Sequence, residues 1–309
     1  MSKGRATITA LEPARRVVLH AHSDDRSRAV LRATGHTLLR IPPAARAEPQ
    51  WLTLPPTPEL PAATESGLAP VNGVKIWYAT FGSGEPVILL HGGLANSNYW
   101  GEQVRALAPH YRVITMDSRG HGRSTRDAKP YSYDLMASDV IALMDHLKID
   151  KAAIVGWSDG AIIGLDIAMK NPERLTKLFA FAANSDPNGV SDISASKVFN
   201  AYIERAGTEY QKLSATPDQY EAFLNQIAEM GKTQPNWTAD DLRKITTPTW
   251  IADGDHDEAI KRENTEFMAA SIPNAGLLIQ PEVSHFSFIQ DSAQFNEDLL
   301  HFLQHVKGQ

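Results

Sequence analysis

Short apolar segments alternate with amphipathic segments along most of the chain after residue 70. Strand, helix and strand in alternation lead to parallel pairing of the strands. Continuously apolar strands suit a sheet that helices cover on both faces. The sequence therefore predicts an α/β fold with a mostly parallel, doubly wound sheet. The predicted strands are 74–80, 86–93, 111–122, 152–157 and 176–183, and the helical patterns are 98–110, 133–147 and the segment after Ser158.

The alternation breaks after Asn184 for about 60 residues. One amphipathic helix in this region opens with Thr216, Pro217 and Gln219, which fit an N-cap, a first-turn proline and a capping-box partner. We expect a helical cap, residues 184–246, inserted into one core made of residues 69–183 and 247–309. The alternation resumes with strands at 248–254 and 275–280 and helices at 261–271 and 291–306.

The first 68 residues differ in kind from the rest. Residues 1–50 hold nine Lys/Arg and four Asp/Glu, and eight prolines lie between Pro42 and Pro70. This composition predicts a poorly ordered extension, with folding from about Ala69 onward. The run Ala45-Arg46-Ala47 resembles a signal cleavage site, but no apolar segment of export length precedes it. We expect a cytoplasmic protein, with export to the periplasm or medium as the alternative.

Composition excludes several classes of function. The 309 residues are 42% hydrophobic and suffice for one large core, while a net charge of −6 provides no basic excess for nucleic acid or anionic lipid. The absence of cysteine rules out disulfides, thiolate metal sites and cysteine nucleophiles. No apolar run approaches the roughly 18 residues of a spanning helix. The composition is compatible with a small neutral or cationic ligand, and it does not determine the oligomeric state.

Ser158 interrupts the most apolar stretch of the chain, between Gly156 and Gly160. It follows a predicted buried strand and precedes a predicted helix. In that context G-x-S-x-G is typical of a nucleophile elbow, a turn so tight that side chains two residues to either side would clash. We therefore predict Ser158 as a nucleophile on a strained, exposed turn.

A serine nucleophile needs a base to take its proton and an acid to orient that base, and in this architecture they follow in the order acid, then histidine. His285 comes just after the last predicted strand, whereas His301 and His305 fall within the final helix. Asp257 comes just after the preceding strand and is the predicted acid. The competing acids are Asp253, Asp255 and Asp186.

Acyl transfer also needs donors for the oxygen that becomes negative. The N–H of Asp159, directly after the nucleophile, is one predicted donor, and that of Gly93 after the strand 86–93 is the other, with Leu94 as the alternative. A carboxylate beside this oxyanion hole would oppose the developing charge, so we expect the Asp159 side chain to turn away.

The run Asp253, Asp255 and Asp257 also invites a calcium-loop interpretation. Such a loop requires Gly at its sixth position and Glu at its twelfth, where this chain has Glu258 and Asn264. The run also follows a strand rather than a helix. We expect no metal site.

Together these motifs resemble the α/β-hydrolase superfamily over about 240 residues from Val71 onward, and "GWSDG" in particular resembles the biphenyl-hydrolase-like esterases, the group that includes valacyclovir hydrolase. The resemblance implies a Ser-His-Asp hydrolase with a helical cap and no cofactor. Serine at the elbow departs from the dehalogenase and epoxide hydrolase branches, which use aspartate. The motifs are "HGG" (91–93), "DSRGHGRS" (117–124), "GWSDG" (156–160), "GDHD" (254–257) and "SH" (284–285).

The sequence thus predicts a hydrolase that cleaves small carboxylic esters through an acyl-enzyme. A lactonase, a carbon–carbon bond hydrolase or a cofactor-free perhydrolase would use the same residues, and a non-catalytic ligand-binding protein is a distant alternative. We expect an apolar pocket. Its predicted lining residues are Leu94, Trp157, Phe199, Tyr202, Met230 and Trp237.

Overall fold

A computed structural model describes residues 48–273 and 275–306 of the chain. Within these residues one eight-stranded sheet runs in the order β1-β2-β4-β3-β5-β6-β7-β8. The strands are β1 Glu65–Val71, β2 Val74–Phe81, β3 Pro86–Leu90, β4 Arg112–Met116, β5 Ala152–Trp157, β6 Leu175–Phe181, β7 Thr249–Gly254 and β8 Gly276–Gln280. The helices are α1 Gly101–Leu107, α2 Tyr133–His146, α3 Asp159–Lys170, α4 Lys197–Leu213, α5 Tyr220–Thr233, α6 Ala239–Leu242, α7 Arg262–Ser271, α8 Ser287–Gln290 and α9 Ser292–His305.

Parallel pairing prevails from β4 to β8, and the antiparallel pairs are β1 with β2 and β2 with β4. The predicted α/β class with a mostly parallel sheet is therefore confirmed. Strand β1 was not predicted, because its seven residues, ESGLAPV, contain a proline and few β-branched side chains. Proline is tolerated there since β1 is an edge strand.

Apolar side chains of the central strands serve two separate cores, one on each face of the sheet. In β3, Ile88 and Leu90 belong to the core beneath α2 and α3, while Val87 and Leu89 belong to the core beneath α1 and α9. Successive side chains of a strand point to opposite faces. Every residue of β5 is buried for the same reason, and this explains its continuously apolar sequence.

Three helices, α4, α5 and α6, lie between β6 and β7, in the region predicted as a helical cap. The capping box predicted at Thr216 is not formed. A 3₁₀ turn over Pro217–Gln219 precedes α5, so Thr216 is displaced from the free N–H groups of that helix. The Thr216 hydroxyl instead bonds Tyr210, 3.0 Å away. A capping box forms further along the chain, between Thr238 and Asp241 at α6.

Packing against the core begins well before Ala69. The Arg205 guanidinium on α4 donates to the backbone oxygens of Leu54, at 2.9 Å, and Pro55, at 2.5 Å. Gln290 donates to the oxygen of Thr53 over 2.8 Å. The carbonyl oxygens of this proline-rich segment are thus held by side chains of α4 and α8. The remainder of the predicted extension, residues 1–47, lies outside the described residues.

None of the helices in the described part of the chain has the length and apolarity needed to cross a membrane.

We expect Arg205→Ala to lower the free energy of unfolding by about 1–2 kcal/mol, because it removes a charged donor from two backbone oxygens. Urea titration would measure this loss, and limited proteolysis should show faster cleavage within residues 48–64. Arg243→Ala is the matched control, since Arg243 is exposed and its ion-pair partner among the described residues is Asp240, three residues earlier in the chain. It should change stability by less than about 0.5 kcal/mol. Equal stability of the two variants would contradict the role of Arg205.

Candidate active site

Ser158 occupies a strained turn between β5 and α3, with a φ of 54° and a ψ of −121°. A Cβ added to Gly160 would overlap the carbonyl of Leu90, and one added to Gly156 would lie 2.5 Å from the Cα of Ala161. Real Cβ atoms do not come so close to backbone. Glycine at both positions is therefore what allows α3 to start directly over the end of β3, with Ser158 at the apex between them.

His285 and Asp257 form a buried pair beside this turn. The imidazole Nδ1 lies 2.7 Å from Asp257 Oδ2, and both side chains are no more than 3% exposed. The other carboxylate oxygen of Asp257, Oδ1, accepts hydrogen bonds from the N–H groups of Ala259, at 2.7 Å, and Ile260, at 2.8 Å. These two bonds hold the carboxylate so that Oδ2 faces His285.

Burial shapes the charge state of the pair. It lowers the pKa of His285 and raises that of Asp257 to about 7, although the N–H groups bonded to Asp257 favour its ionised form. A neutral imidazole with its proton on Nδ1 donates to Asp257 and leaves Nε2 able to accept a proton. The pair therefore has the arrangement of a general base with its orienting acid.

The loop after β3 lies on the other side of Ser158. His91 is buried under this loop: its Nε2 accepts from the N–H of Ser118 over 3.0 Å, so its Nδ1 carries the proton and donates to Gly92 O over 2.8 Å. Leu94 has a φ of 67°, in the left-handed region. Among the described residues, the N–H groups of Gly93 and Asp159 donate to no other backbone oxygen. Both are available to an oxygen atom near Ser158.

Two tyrosines hold this region in place: Tyr202, which the sequence predicted only as a pocket residue, and Tyr133, which it did not single out. Tyr202 on α4 donates a hydrogen bond to the oxygen of Gly93. Tyr133 at the start of α2 donates to Asp159 Oδ1 over 2.8 Å. Each pair is far apart in sequence, and no local pattern marks either tyrosine as a neighbour of the elbow.

The Asp159 carboxylate does not turn away from the loop as expected. It packs so closely against Gly93 that a Cβ there would lie 2.6 Å from Oδ2. Burial raises the pKa of Asp159, and the hydrogen bond from Tyr133 opposes that shift. A carboxyl group beside the predicted oxyanion position thus has a reduced tendency to ionise, which would lessen its repulsion of a developing negative charge.

A cavity of about 550 Å³ opens at Ser158, His285 and Asp159. Its walls come from both the core and the cap, and they are mixed in polarity rather than apolar throughout. The apolar lining residues include Val190, Ile193, Phe199, Ala259 and Ile260, and the polar ones include Tyr133, Asn184, Ser191, Asp192 and Gln234.

Of the six predicted pocket residues, Phe199 lies on the wall of this cavity. Trp157 and Tyr202 are buried in an aromatic cluster beneath His285, with ring centroids 5.9 Å apart. Met230 lines a different cavity, while Leu94 and Trp237 pack half-buried against the core. The amphipathic pattern of a cap helix shows which side chains pack, but not which of them reach the ligand.

The competing acids have other environments. Asp186 caps a 3₁₀ turn by accepting from the N–H of Asn188 over 2.8 Å. Asp255 is one-third exposed and lies 3.5 Å from His256. Asp253 is buried beside Asp257. Within the described residues, no group of three or more acidic or histidine side chains is arranged to hold a metal ion.

Several known proteins are similar to this chain in sequence and in fold. A family model described as the alpha/beta hydrolase fold matches residues 85–217. A putative non-heme chloroperoxidase of Synechocystis is 28% identical over 266 residues, 75% of this chain and 95% of that protein. The serine hydrolase BPHL of Mus musculus is 26% identical, over 78% of this chain and 87% of that one. A solved structure titled "Est816 as an N-Acyl homoserine lactone degrading enzyme" is 28% identical with a TM-score of 0.61, over 75% of this chain and 98% of that one.

We expect Asp257→Asn to lower kcat by about 10⁴-fold, as the equivalent change does in serine proteases, because asparagine stabilises the wrong imidazole tautomer. Steady-state kinetics on an activated ester would measure the loss. The matched variant Asp186→Asn removes the same charge from a turn of the cap and should change kcat less than about threefold. A larger loss in Asp186→Asn than in Asp257→Asn would move the acid to Asp186.

Proposed function

Because this chain belongs to the α/β-hydrolase superfamily and is a hydrolase of that fold, we propose that it cleaves small carboxylic esters by a serine mechanism with an acyl-enzyme intermediate. The observation that carries the proposal is the buried His285–Asp257 pair at the same cavity as the strained Ser158. Ser158, Asp257 and His285 follow the carboxyl ends of three different strands, β5, β7 and β8. A non-catalytic protein of this fold would not need to keep such a pair together.

In the first half-reaction, Ser158 Oγ attacks the ester carbonyl carbon while His285 Nε2 takes its proton. The carbonyl oxygen becomes an oxyanion and accepts hydrogen bonds from the N–H groups of Gly93 and Asp159. Each such donor is worth about 2.7–4 kcal/mol in comparable sites. The imidazolium then gives its proton to the leaving alcohol as the carbon–oxygen bond breaks, and the acyl group stays on Ser158.

In the second half-reaction, water attacks the acyl carbon and His285 takes a proton from it. The tetrahedral intermediate collapses, Ser158 recovers its proton from His285, and the acid leaves. In its ionised form, Asp257 stabilises the imidazolium that forms twice in each cycle.

Charge in the cavity favours some substrates over others. Asp159 and Asp192 both line it, and Lys232, the one lysine or arginine among the described lining residues, is exposed and pairs with Glu229. Hydrogen bonds from Ser194 lower the pKa of Asp192, so an anionic substrate would bring its negative charge into a cavity lined by an ionised carboxylate, and the two charges would repel each other. We therefore expect neutral or positively charged esters to react faster than anionic ones of the same size.

Lactone opening is the second candidate, because the 28% identical Est816 structure is described as an N-acyl homoserine lactone degrading enzyme. A lactone is a cyclic ester, so the same nucleophile, base and oxyanion donors would open it. The leaving alcohol would then stay attached to the acyl group.

We expect Ser158→Ala to abolish ester turnover, because alanine offers no oxygen to form the acyl-enzyme. The wild-type protein should also react with an organophosphate at Ser158, which intact-mass and peptide mass spectrometry would show as one covalent addition. Circular dichroism and thermal unfolding would check that the variant is folded. Activity within tenfold of wild type in a folded Ser158→Ala protein would rule out the serine mechanism.

Specificity for p-nitrophenyl esters should be highest near four acyl carbons and fall by about eight. Each added methylene that becomes buried gains about 0.8 kcal/mol, but a cavity of about 550 Å³ also has to hold the leaving group. Measuring kcat/KM from two to twelve carbons tests this. A maximum at ten carbons or beyond would show an open cavity, and rapid opening of lactones without ester turnover would favour the second candidate.

A further inference from the structure

Asp253 is a buried acid with no role in the mechanism above. It lies near the end of β7, is 1% exposed and sits four residues before the catalytic acid. Its Oδ1 accepts from the N–H of Gly254 over 2.9 Å, and its Oδ2 is bonded to the Thr265 hydroxyl of α7 over 2.7 Å. An acidic side chain buried this deeply is rare unless a positive group pairs with it.

The buried carboxyl groups of Asp253 and Asp257 lie within hydrogen-bonding reach of each other. Two ionised carboxylates are both acceptors only, so a hydrogen bond between them requires one proton. Among the described residues, no lysine or arginine forms an ion pair with either acid. Two adjacent negative charges would therefore be left without a neutralising partner.

The surroundings decide which carboxyl holds the proton. Asp257 accepts from the N–H groups of Ala259 and Ile260 and faces His285, and all three favour its ionised form. Asp253 has one N–H and one hydroxyl. Burial and the neighbouring charge of Asp257 raise the pKa of Asp253 well above its usual range.

The other charged groups nearby do not alter this assignment. Glu258 adds negative charge next to Asp257 and accepts from the backbone N–H of His285 over 3.4 Å. Asp159 faces His285 from the start of α3. Both are acidic, so they disfavour a second ionised carboxylate beside Asp257 rather than stabilising one.

We propose that Asp253 is a positioning residue that stays protonated at neutral pH and donates a hydrogen bond to Asp257, extending the catalytic chain to Thr265–Asp253–Asp257–His285. The proposal rests on the serine mechanism proposed above. Asp253 keeps its proton throughout turnover. Its hydrogen bond fixes the Asp257 carboxylate and lowers the basicity of that carboxylate, which in turn tunes the basicity of His285.

Two substitutions at Asp253 distinguish a protonated side chain that donates a hydrogen bond from an ionised one. Asp253→Asn keeps the shape and supplies an amide N–H to Asp257, so kcat should fall less than about threefold and the acidic limb of the pH profile should stay in place. Asp253→Leu removes the donor, so kcat should fall about tenfold to a hundredfold at nearly constant KM, because the acid and the base lose their alignment. Asp255→Asn, two residues away and partly exposed, is the matched control and should leave both quantities unchanged.

The direction of the pH shift is decisive. Without its donor, Asp257 becomes more basic and stabilises the imidazolium more, so Asp253→Leu should move the acidic limb of kcat/KM to higher pH by about 0.5 unit or more. If Asp253 were ionised in the wild type, both variants would remove a negative charge near His285. The pKa of His285 would then fall, and the limb would move to lower pH in both variants. That result would overturn the proposal.

Infrared spectroscopy provides a test that needs neither turnover nor a stable leucine variant. A protonated carboxyl group absorbs in a different frequency range from a carboxylate, and its band shifts when the solvent is deuterated. The wild type at neutral pH should show such a band that Asp253→Asn lacks and Asp255→Asn retains. If all three proteins give the same carboxyl spectrum, Asp253 is not protonated and the proposal fails. Loss of turnover in Ser158→Ala tests the serine mechanism separately, so failure of one idea is distinguishable from failure of the other.

Discussion

The close approach of α3 to the end of β3 is the contact on which the site depends. Gly160 lies against the backbone carbonyls of Leu90 and His91, with no room for a side chain. This contact brings the start of α3, with its free N–H groups, next to the loop that carries Gly93. The proposed nucleophile and the proposed oxyanion donors therefore have their geometry set by backbone packing. The strained backbone at Ser158 persists because the buried strands on either side of β5 hold the turn in place.

Negative charge is the second constraint on this site. Four acidic side chains, Asp159, Asp253, Asp257 and Glu258, lie around one neutral histidine. Only one of them has to be ionised for the proposed chemistry. Hydrogen bonds from Tyr133 to Asp159, and from backbone N–H groups to Asp257, give each carboxyl a different environment. Groups of one chemical type can then occupy different protonation states within a few ångströms.

Features that depend on local sequence pattern could be predicted, whereas contacts between residues far apart in the sequence could not. The central strands could be predicted because β5 and its neighbours are buried on both faces and therefore continuously apolar. Ser158 could be located because its two glycines mark a tight turn. The contact of Tyr202 with Gly93 spans 109 residues and follows no periodicity, so it could not be predicted. The capping box at Thr216 failed because a 3₁₀ turn, which the sequence does not distinguish from a first helical turn, comes before α5.

The hydrogen bond from Tyr202 to the Gly93 oxygen has a consequence for how such enzymes diversify. Helix α4 contributes Phe199 to the cavity wall and, three residues later, the tyrosine that restrains the oxyanion loop. Selection for a new substrate would act first on cap residues such as Phe199. A shift of α4 that reshapes the cavity would also move the restraint on Gly93. The predicted cap is therefore not an interchangeable module: exchanging it with that of a relative would transfer part of the proposed catalytic geometry along with the specificity.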